Sequence, residues 1–160
     1  MQNSDSKEIP AVIADCHLGK LAKYLRFMGI DTLYFPQIDD NDLIELANKE
    51  KRTILTRDRE LYERKKAPCI LLESVEIGKQ LEEVIRTFNL VNHNIDFSRC
   101  IVCNEPLIKV DKEDIIDRLP PKVIKHFSYF EICRVCDRVY WHGDHYKRMK
   151  NFLGKVLESI

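Results

Sequence analysis

Four cysteines in two close pairs place the tightest constraint on how this chain can fold. The pairs are Cys100-Ile-Val-Cys103 and Cys133-Arg-Val-Cys136. A CxxC sequence bends the backbone so that both thiolates face one ion, and two such pairs complete a tetrahedral site typical of structural zinc. Because this part of the chain has few apolar residues, the metal would hold it together. The sequence therefore predicts a small four-cysteine zinc ribbon with a terminal helix over residues 96–158.

Two other interpretations of the cysteine segment stay open. The pairs could be unrelated redox-active dithiols, or His142 and His145 could replace one pair as zinc ligands. Between the pairs lies an acidic stretch, residues 112–119, which we expect to be helical and to end at Pro120-Pro121.

Ahead of the cysteines, short apolar runs alternate with helical patterns. We expect strands at residues 11–14, 31–35, 53–56 and 69–72. We expect helices at residues 18–29, from Asp40, from about Asp58 and at residues 76–88. Such alternation favours a parallel sheet that is covered by helices on both faces. The predicted fold is an α/β domain over residues 9–90, followed by a linker and the ribbon.

The N-terminus and the overall composition narrow the class of protein. Residues 1–8 are polar, which predicts a disordered tail and no signal peptide. No apolar run approaches the roughly 20 residues that a membrane span needs. We therefore expect a cytoplasmic protein without membrane contacts, whose six cysteines are metal ligands or buried thiols instead of disulfides. The formal net charge of zero predicts no general attraction for nucleic acid.

Three aspartates are expected at one edge of the predicted sheet. Asp15 follows the first strand, Asp58 follows the third, and Asp40 lies where the N-cap of the second helix is expected. The carboxyl ends of parallel strands share an edge, where ligands collect, so these side chains should converge. Oxygen ligands suit Mg²⁺ or Mn²⁺, and an ion held there could activate water beside a phosphate. Glu60 could join the set or position the water, although each aspartate alone could instead be a helix or turn cap.

Cations at a spacing of three accompany the first of these acids. They are Lys20, Lys23 and Arg26 on the first helix. The pattern indicates either a solvated helix face or a stripe that follows the phosphates of a nucleic acid.

Several segments together resemble one known family. Ala14-Asp15, the basic helix from Leu18 to Gly29, Asp40-Asn-Asp-Leu43 and Leu55-Thr-Arg-Asp-Arg59 resemble the PIN-like ribonucleases. The cysteine segment, which ends in Arg138-Val-Tyr-Trp-His-Gly-Asp-His-Tyr146, resembles the ribbon fused to one branch of them, the Mut-seven C-terminal RNase domain family. The resemblance covers nearly all of residues 11–150. It implies metal-dependent RNA hydrolysis with Asp15, Asp40 and Asp58 as metal-binding acids and Glu60 as a candidate fourth.

On this resemblance we expect a ribonuclease that acts on single-stranded RNA, with structural zinc and catalytic Mg²⁺ or Mn²⁺. Lys20, Lys23, Arg26, Arg57 and Arg59 would bind phosphates. Unpaired bases would meet ribbon side chains, namely Arg134, Arg138, Tyr140, Trp141 and His145. Tyr140 and Trp141 could equally pack the ribbon against the terminal helix. Alternatives are a non-catalytic RNA-binding or ribosome-associated module, or a protein-docking partner such as the toxin half of a pair.

Overall fold

The computed structural model describes residues 8–160, so the tail predicted for residues 1–8 lies outside the described residues except at its last position. The first part of the chain alternates strands and helices as expected. In order they are β1 (Val12–Ala14), α1 (Gly19–Phe27), β2 (Thr32–Tyr34), α2 (Asp40–Glu50), β3 (Thr53–Thr56), α3 (Arg59–Glu63), β4 (Cys69–Leu71) and α4 (Ile77–Thr87). Within residues 8–160, every helix falls short of the length and apolar character that a membrane span requires.

The four strands form one parallel sheet in the order β2-β1-β3-β4. From β1 the chain moves outward to β2 and then crosses back to β3 on the other side of β1. The loops that leave β1 and β3 therefore diverge, and a crevice opens at the carboxyl ends of these two neighbouring strands. This edge is where the polar side chains of the first candidate site lie.

Helices cover both faces of the sheet, as predicted. Successive strand residues point to opposite faces, so Val12 and Ala14 pack against α1 and α4, whereas Ile13 packs against α2. Ile54 of β3 lies in the same cluster as Ile13, together with apolar residues of α2 and α3. The predicted α/β fold with a helix-flanked parallel sheet is confirmed.

The cysteine segment forms a small antiparallel sheet with short helices. Its elements are β5 (Ile108–Val110), α5 (Lys112–Ile115), a 3₁₀ turn (Ile116–Arg118), α6 (Pro121–His126), β6 (Phe130–Ile132), β7 (Val139–Tyr140) and α7 (Asp144–Glu158). The acidic stretch is helical, as expected. The expectation that Pro120-Pro121 only ends it was incomplete, because Pro121 also begins α6, at a position where the missing amide costs no hydrogen bond.

The terminal helix α7 follows the ribbon in sequence but packs on the α/β unit. Met149, Leu153 and Val156 belong to the same buried cluster as α1 and α4. Tyr24 of α1 contacts Phe152 of α7, with ring centroids 5.1 Å apart. The division into residues 9–90 and 96–158 stays a prediction, since this core is built from both segments.

Arg26 joins the two segments, so its predicted role as an RNA-binding side chain is wrong. It is only 5% exposed. Its Nε donates to the Thr32 carbonyl at 2.8 Å, and its Nη1 donates to the carbonyls of Ile101 at 3.1 Å and Val102 at 3.0 Å. Steps of three residues drift backwards around a helix, so two steps from Lys20 place Arg26 about 120° away on another face.

Candidate active site and zinc centre

Asp15 and Asp58 lie beside each other at the carboxyl ends of β1 and β3. The buried hydroxyl of Thr56 connects them: it donates to Asp15 Oδ2 at 2.8 Å and accepts from the Asp58 amide at 2.9 Å. The neighbouring Cys16 amide donates to the other oxygen of Asp15, Oδ1, at 2.6 Å. Asp15 is 6% exposed, so these bonds fix the orientation of a buried carboxylate.

Asp58 is exposed and has a structural role in α3. Its Oδ1 accepts hydrogen bonds from the amides of Glu60 at 2.9 Å and Leu61 at 3.3 Å, which makes it the N-cap of that helix. Glu60 is also exposed, two residues further along. Asp58 therefore caps a helix, which is the alternative role that the sequence left open for it.

The acidic stretch before α2 is arranged differently from the expectation. Asp39 is the N-cap, because its Oδ1 accepts from the Asp42 amide at 3.0 Å, and Asp40 is the first helical residue. That hydrogen bond lowers the pKa of Asp39, and the negative charge of Asp39 raises the pKa of Asp42. Asp40 instead forms an ion pair with Arg64 at 3.3 Å.

Cys16 lies among these acids. Burial raises the pKa of its thiol, and the hydrogen bond and charge of Asp15, followed by the charge of Asp40, raise it further. A thiol whose pKa is raised stays protonated and is a poor nucleophile.

The acids are less tightly gathered than the cysteines. Among the residues that the structure describes, the four cysteines are the group whose ligand atoms all lie within 4.8 Å of one another, and the three aspartates form no such group. Their donor type nevertheless fits a hard divalent ion, and Mg²⁺ usually keeps several of its waters.

The cysteine sulfurs form the tetrad that the two CxxC pairs predict. Cys100 and Cys136 are 3.5 Å apart at Sγ, and Cys103 and Cys133 are 3.2 Å apart. A tetrahedral zinc ion with Zn–S bonds of about 2.3 Å separates its sulfurs by roughly 3.8 Å, so the cluster can hold zinc. Neither His142 nor His145 takes part in it. The alternative in which they replace one cysteine pair is therefore not supported.

Tyr140 supports the cysteine cluster directly. Its hydroxyl oxygen lies 3.0 Å from Cys100 Sγ. Burial tends to raise the pKa of Cys100, but hydrogen bonds from Tyr140 and from the backbone amides of Cys103 and Val102 lower it to about 7. A lowered thiol pKa favours the thiolate that a metal ion requires. Tyr140 therefore supports the cysteine cluster, a role that differs from both base stacking and packing against the terminal helix.

The other predicted RNA-binding residues differ in exposure. Trp141 is half-buried and belongs to the small ribbon core, with its ring centroid 6.3 Å from that of Phe130. Arg59 makes an open ion pair with Glu73 at 3.8 Å. The exposed members of the set are Lys20, Lys23, Arg57, Arg59, Arg134, Arg138 and His145.

The sequence reasoning missed an aromatic cavity between the ribbon and the start of α7. We define the aromatic cavity by its ring-bearing lining residues, which are Phe27, Phe97, Tyr129, Tyr140, Trp141, His142, His145 and Tyr146. Its volume is about 530 Å³. The run Tyr140-Trp-His142 was the available signal, but Phe27 comes from the distant helix α1, and Tyr129 reaches the cavity only through the pairing of β6 with β7.

Fold and site together define an α/β protein with acidic residues at one edge of a parallel sheet and a ribbon whose four cysteines can bind a metal ion. The Mut7-C RNAse domain family model matches residues 10–153, and the chain belongs to this family. The human protein named exonuclease mut-7 homolog is 30% identical over 118 residues, which are 66% of this chain and 14% of that protein. No solved structure matches. The family and this relative support a nuclease-type function.

Proposed function

We propose that the protein is a PIN-like, metal-dependent ribonuclease that hydrolyses phosphodiester bonds of single-stranded RNA at the edge formed by Asp15 and Asp58. The proposal depends most on one observation: the two aspartates follow neighbouring strands at the sheet crossover, and the Thr56 hydroxyl bonds both to the carboxylate of Asp15 and to the backbone amide of Asp58. Membership in an RNAse domain family and likeness to a protein named as an exonuclease support cutting of a nucleic acid.

Asp15, Asp40 and Asp58 would hold Mg²⁺ or Mn²⁺. When bound, the ion would lower the pKa of a water molecule and neutralise charge that develops on the phosphate. Thr56 would keep the buried Asp15 carboxylate in one orientation, because its hydroxyl donates to that group. Glu60, exposed beside Asp58, would orient the attacking water.

Exposed cations near the acids would position the RNA. Lys20 and Lys23 lie on α1, which follows Asp15, whereas Arg57 and Arg59 flank Asp58. Cations placed this way bind phosphates without regard to base sequence and make affinity depend on salt. The cysteine ribbon, held by zinc, would contribute further contacts to the strand. A cytoplasmic location and a possible protein partner stay predictions.

A second candidate function is RNA binding without cleavage. The observation that favours it is that each acid already has a structural partner. Asp58 caps α3, Asp40 pairs with Arg64, and both oxygens of Asp15 accept hydrogen bonds. On this alternative the acids stabilise the sheet edge and the ribbon does the binding.

Two matched variants separate the two functions. Asp58→Asn removes the charge but keeps a side-chain oxygen that can cap α3. Asp39→Asn makes the same change at the cap of α2, outside the proposed metal-binding set. The assay follows a labelled single-stranded RNA with protein that retains its zinc, before and after Mg²⁺ or Mn²⁺ is added.

The ribonuclease proposal expects metal-dependent cleavage that Asp58→Asn abolishes and Asp39→Asn retains. RNA binding without cleavage in the unmodified protein would favour the second candidate. Cleavage that Asp58→Asn leaves unchanged would contradict the proposed site. Zinc content must be equal in all samples, so that damage to the ribbon is not mistaken for loss of the acids.

A further inference from the structure

Aromatic rings that contact one another line the aromatic cavity. The imidazole of His142 lies on the ring of Tyr146, with centroids 4.0 Å apart and planes 13° from parallel. The ring of Tyr129, which directly precedes β6, also approaches this imidazole, with centroids 5.4 Å apart. Tyr129 is 42% exposed and His142 is also exposed, so neither ring is needed to fill the core. Flat rings at an accessible surface are what an unpaired base stacks on.

The charges around the cavity favour an anionic ligand. Arg138 lines it and is an exposed cation. Two lysines lie over its tyrosines: Lys109 Nζ is 5.9 Å from the Tyr129 centroid, and Lys150 Nζ is 6.0 Å from that of Tyr146. The lining acids are Glu131 and Asp144. Aromatic faces combined with a surplus of cations suit a base and its phosphate better than an apolar peptide.

The basic side of α1 connects this cavity with the acid edge. Lys20, Lys23 and Phe27 are spaced i, i+3 and i+7, so they lie on one side of the helix. Lys20 and Lys23 are exposed, and Phe27 lines the cavity. With nine residues, α1 is about 13 Å long. Since stacked nucleotides advance about 3.4 Å each, this length corresponds to roughly four nucleotides.

We propose that the aromatic cavity binds an unpaired base of the same RNA strand that passes the acid edge, roughly four nucleotides from the phosphate held there. The inference rests on the proposed function, because that function places a phosphate at Asp15 and Asp58. His142 and Tyr129 stack with the base, Arg138 pairs with its phosphate, and Lys20 and Lys23 bind the phosphates between the two sites. A strand too short to span both sites binds weakly.

The test measures binding separately from cleavage. The zinc-loaded 160-residue chain, without Mg²⁺ or Mn²⁺, is titrated against fluorescent oligouridylates of two to eight nucleotides, and affinity is read from anisotropy. We expect a rise in affinity when the strand becomes long enough to reach the cavity. His142→Ala and Tyr129→Ala should each lower the affinity for the long strand by a factor of about 5 to 100. Their effect on the affinity for the short strand should be small.

His126→Ala is the matched control, since His126 is exposed on α6 and lies outside the cavity lining. It should bind like the unmodified protein. The melting temperature and zinc content of every variant show whether it has folded. An eight-nucleotide strand that lacks the one base expected to enter the aromatic cavity should bind with the affinity of the short strand.

Equal affinity of folded His142→Ala and Tyr129→Ala for long strands would overturn the inference. Undiminished binding of the strand without that base would also overturn it, because phosphate contacts would then suffice. Cleavage is a separate readout. If the protein cuts no RNA but its affinity still rises with strand length and depends on His142, the base-binding cavity is supported and the proposed ribonuclease function is contradicted.

Discussion

Arg26 allows the link between the α/β unit and the ribbon to be tested by one substitution. Arg26→Met keeps most of the aliphatic stem and removes the guanidinium, which donates to the carbonyls of Thr32, Ile101 and Val102. Asn104 strengthens the same junction, since its side-chain oxygen accepts from the Thr32 amide at 2.9 Å. The substitution leaves the buried carbonyl of Thr32 and the partly buried carbonyls of Ile101 and Val102 without this donor.

The magnitude follows from two opposing effects. A buried carbonyl without a partner costs about 1–3 kcal/mol and a partly buried one costs less, which gives about 3 kcal/mol for the three together. Against this, burial lowers the pKa of Arg26, which indicates that its charge has lost hydration, and removing the charge regains part of that cost. We expect a net loss of about 2–4 kcal/mol in the free energy of unfolding, or roughly 4–16 °C in melting temperature.

Thermal unfolding followed by circular dichroism gives the melting temperature, and limited proteolysis reports opening of the ribbon. Lys23→Met is the control, because Lys23 is exposed on the same helix and its loss should stay within about 0.5 kcal/mol. A melting temperature for Arg26→Met within about 2 °C of the unmodified protein would refute the reasoning. The guanidinium would then not hold the two segments together.

Three further predictions concern hydrogen bonds at the acidic sheet edge, at the cysteine cluster and at the junction between the α/β unit and the ribbon. Thr56→Val removes the donor to Asp15; we expect a loss of about 1–3 kcal/mol in stability by thermal unfolding and a drop in any metal-dependent RNA cleavage. Tyr140→Phe removes the hydroxyl beside Cys100, so chelator competition should show zinc affinity weakened by about 10- to 100-fold. Burial tends to raise the pKa of Asp31, but hydrogen bonds from Arg52 and Asn104 lower it overall. Its contribution to stability is therefore present near neutral pH and lost as the pH falls through and below about 4, so unfolding curves of Asp31→Asn and the unmodified protein should converge in acid.

The elements of the fold were largely predictable because their patterns are local. The β3 strand was predicted with its observed bounds, Thr53–Thr56, since a β-branched run ends there in charged residues. The helix α6 was missed because Pro120-Pro121 was taken only as a terminator. Proline both ends one helix and begins another, and the local sequence does not separate these roles.

The candidate sites were predictable only where residues close in sequence share a function. The cysteine tetrad follows from two short spacings, so its assembly was foreseen. Arg26 was misplaced because its partners Ile101 and Val102 lie 75 and 76 residues away, and no local pattern indicates them. The aromatic cavity was missed for the same reason: Phe27, Tyr129 and His142 meet only in the folded chain.

The positions of the acidic residues could be predicted only in part. Strand order places Asp15 beside Asp58, and strand–helix alternation was enough to expect that. Four acidic or amide residues in a row, Asp39-Asp-Asn-Asp42, left the choice of cap ambiguous, and the structure assigns it to Asp39. The Asp40–Arg64 pair joins α2 with the residue that ends α3, which sequence spacing could not indicate.

The most direct test of the account is the single-turnover rate of RNA cleavage as a function of Mn²⁺ concentration, measured for the unmodified protein, Asp15→Asn and Asp58→Asn at equal zinc content. We expect a rate that saturates with Mn²⁺ and falls by about 100-fold or more in both variants, because each would remove a charged ligand of the ion. Rates in the variants equal to that of the unmodified protein would contradict the account and separate any nuclease activity from this sheet edge.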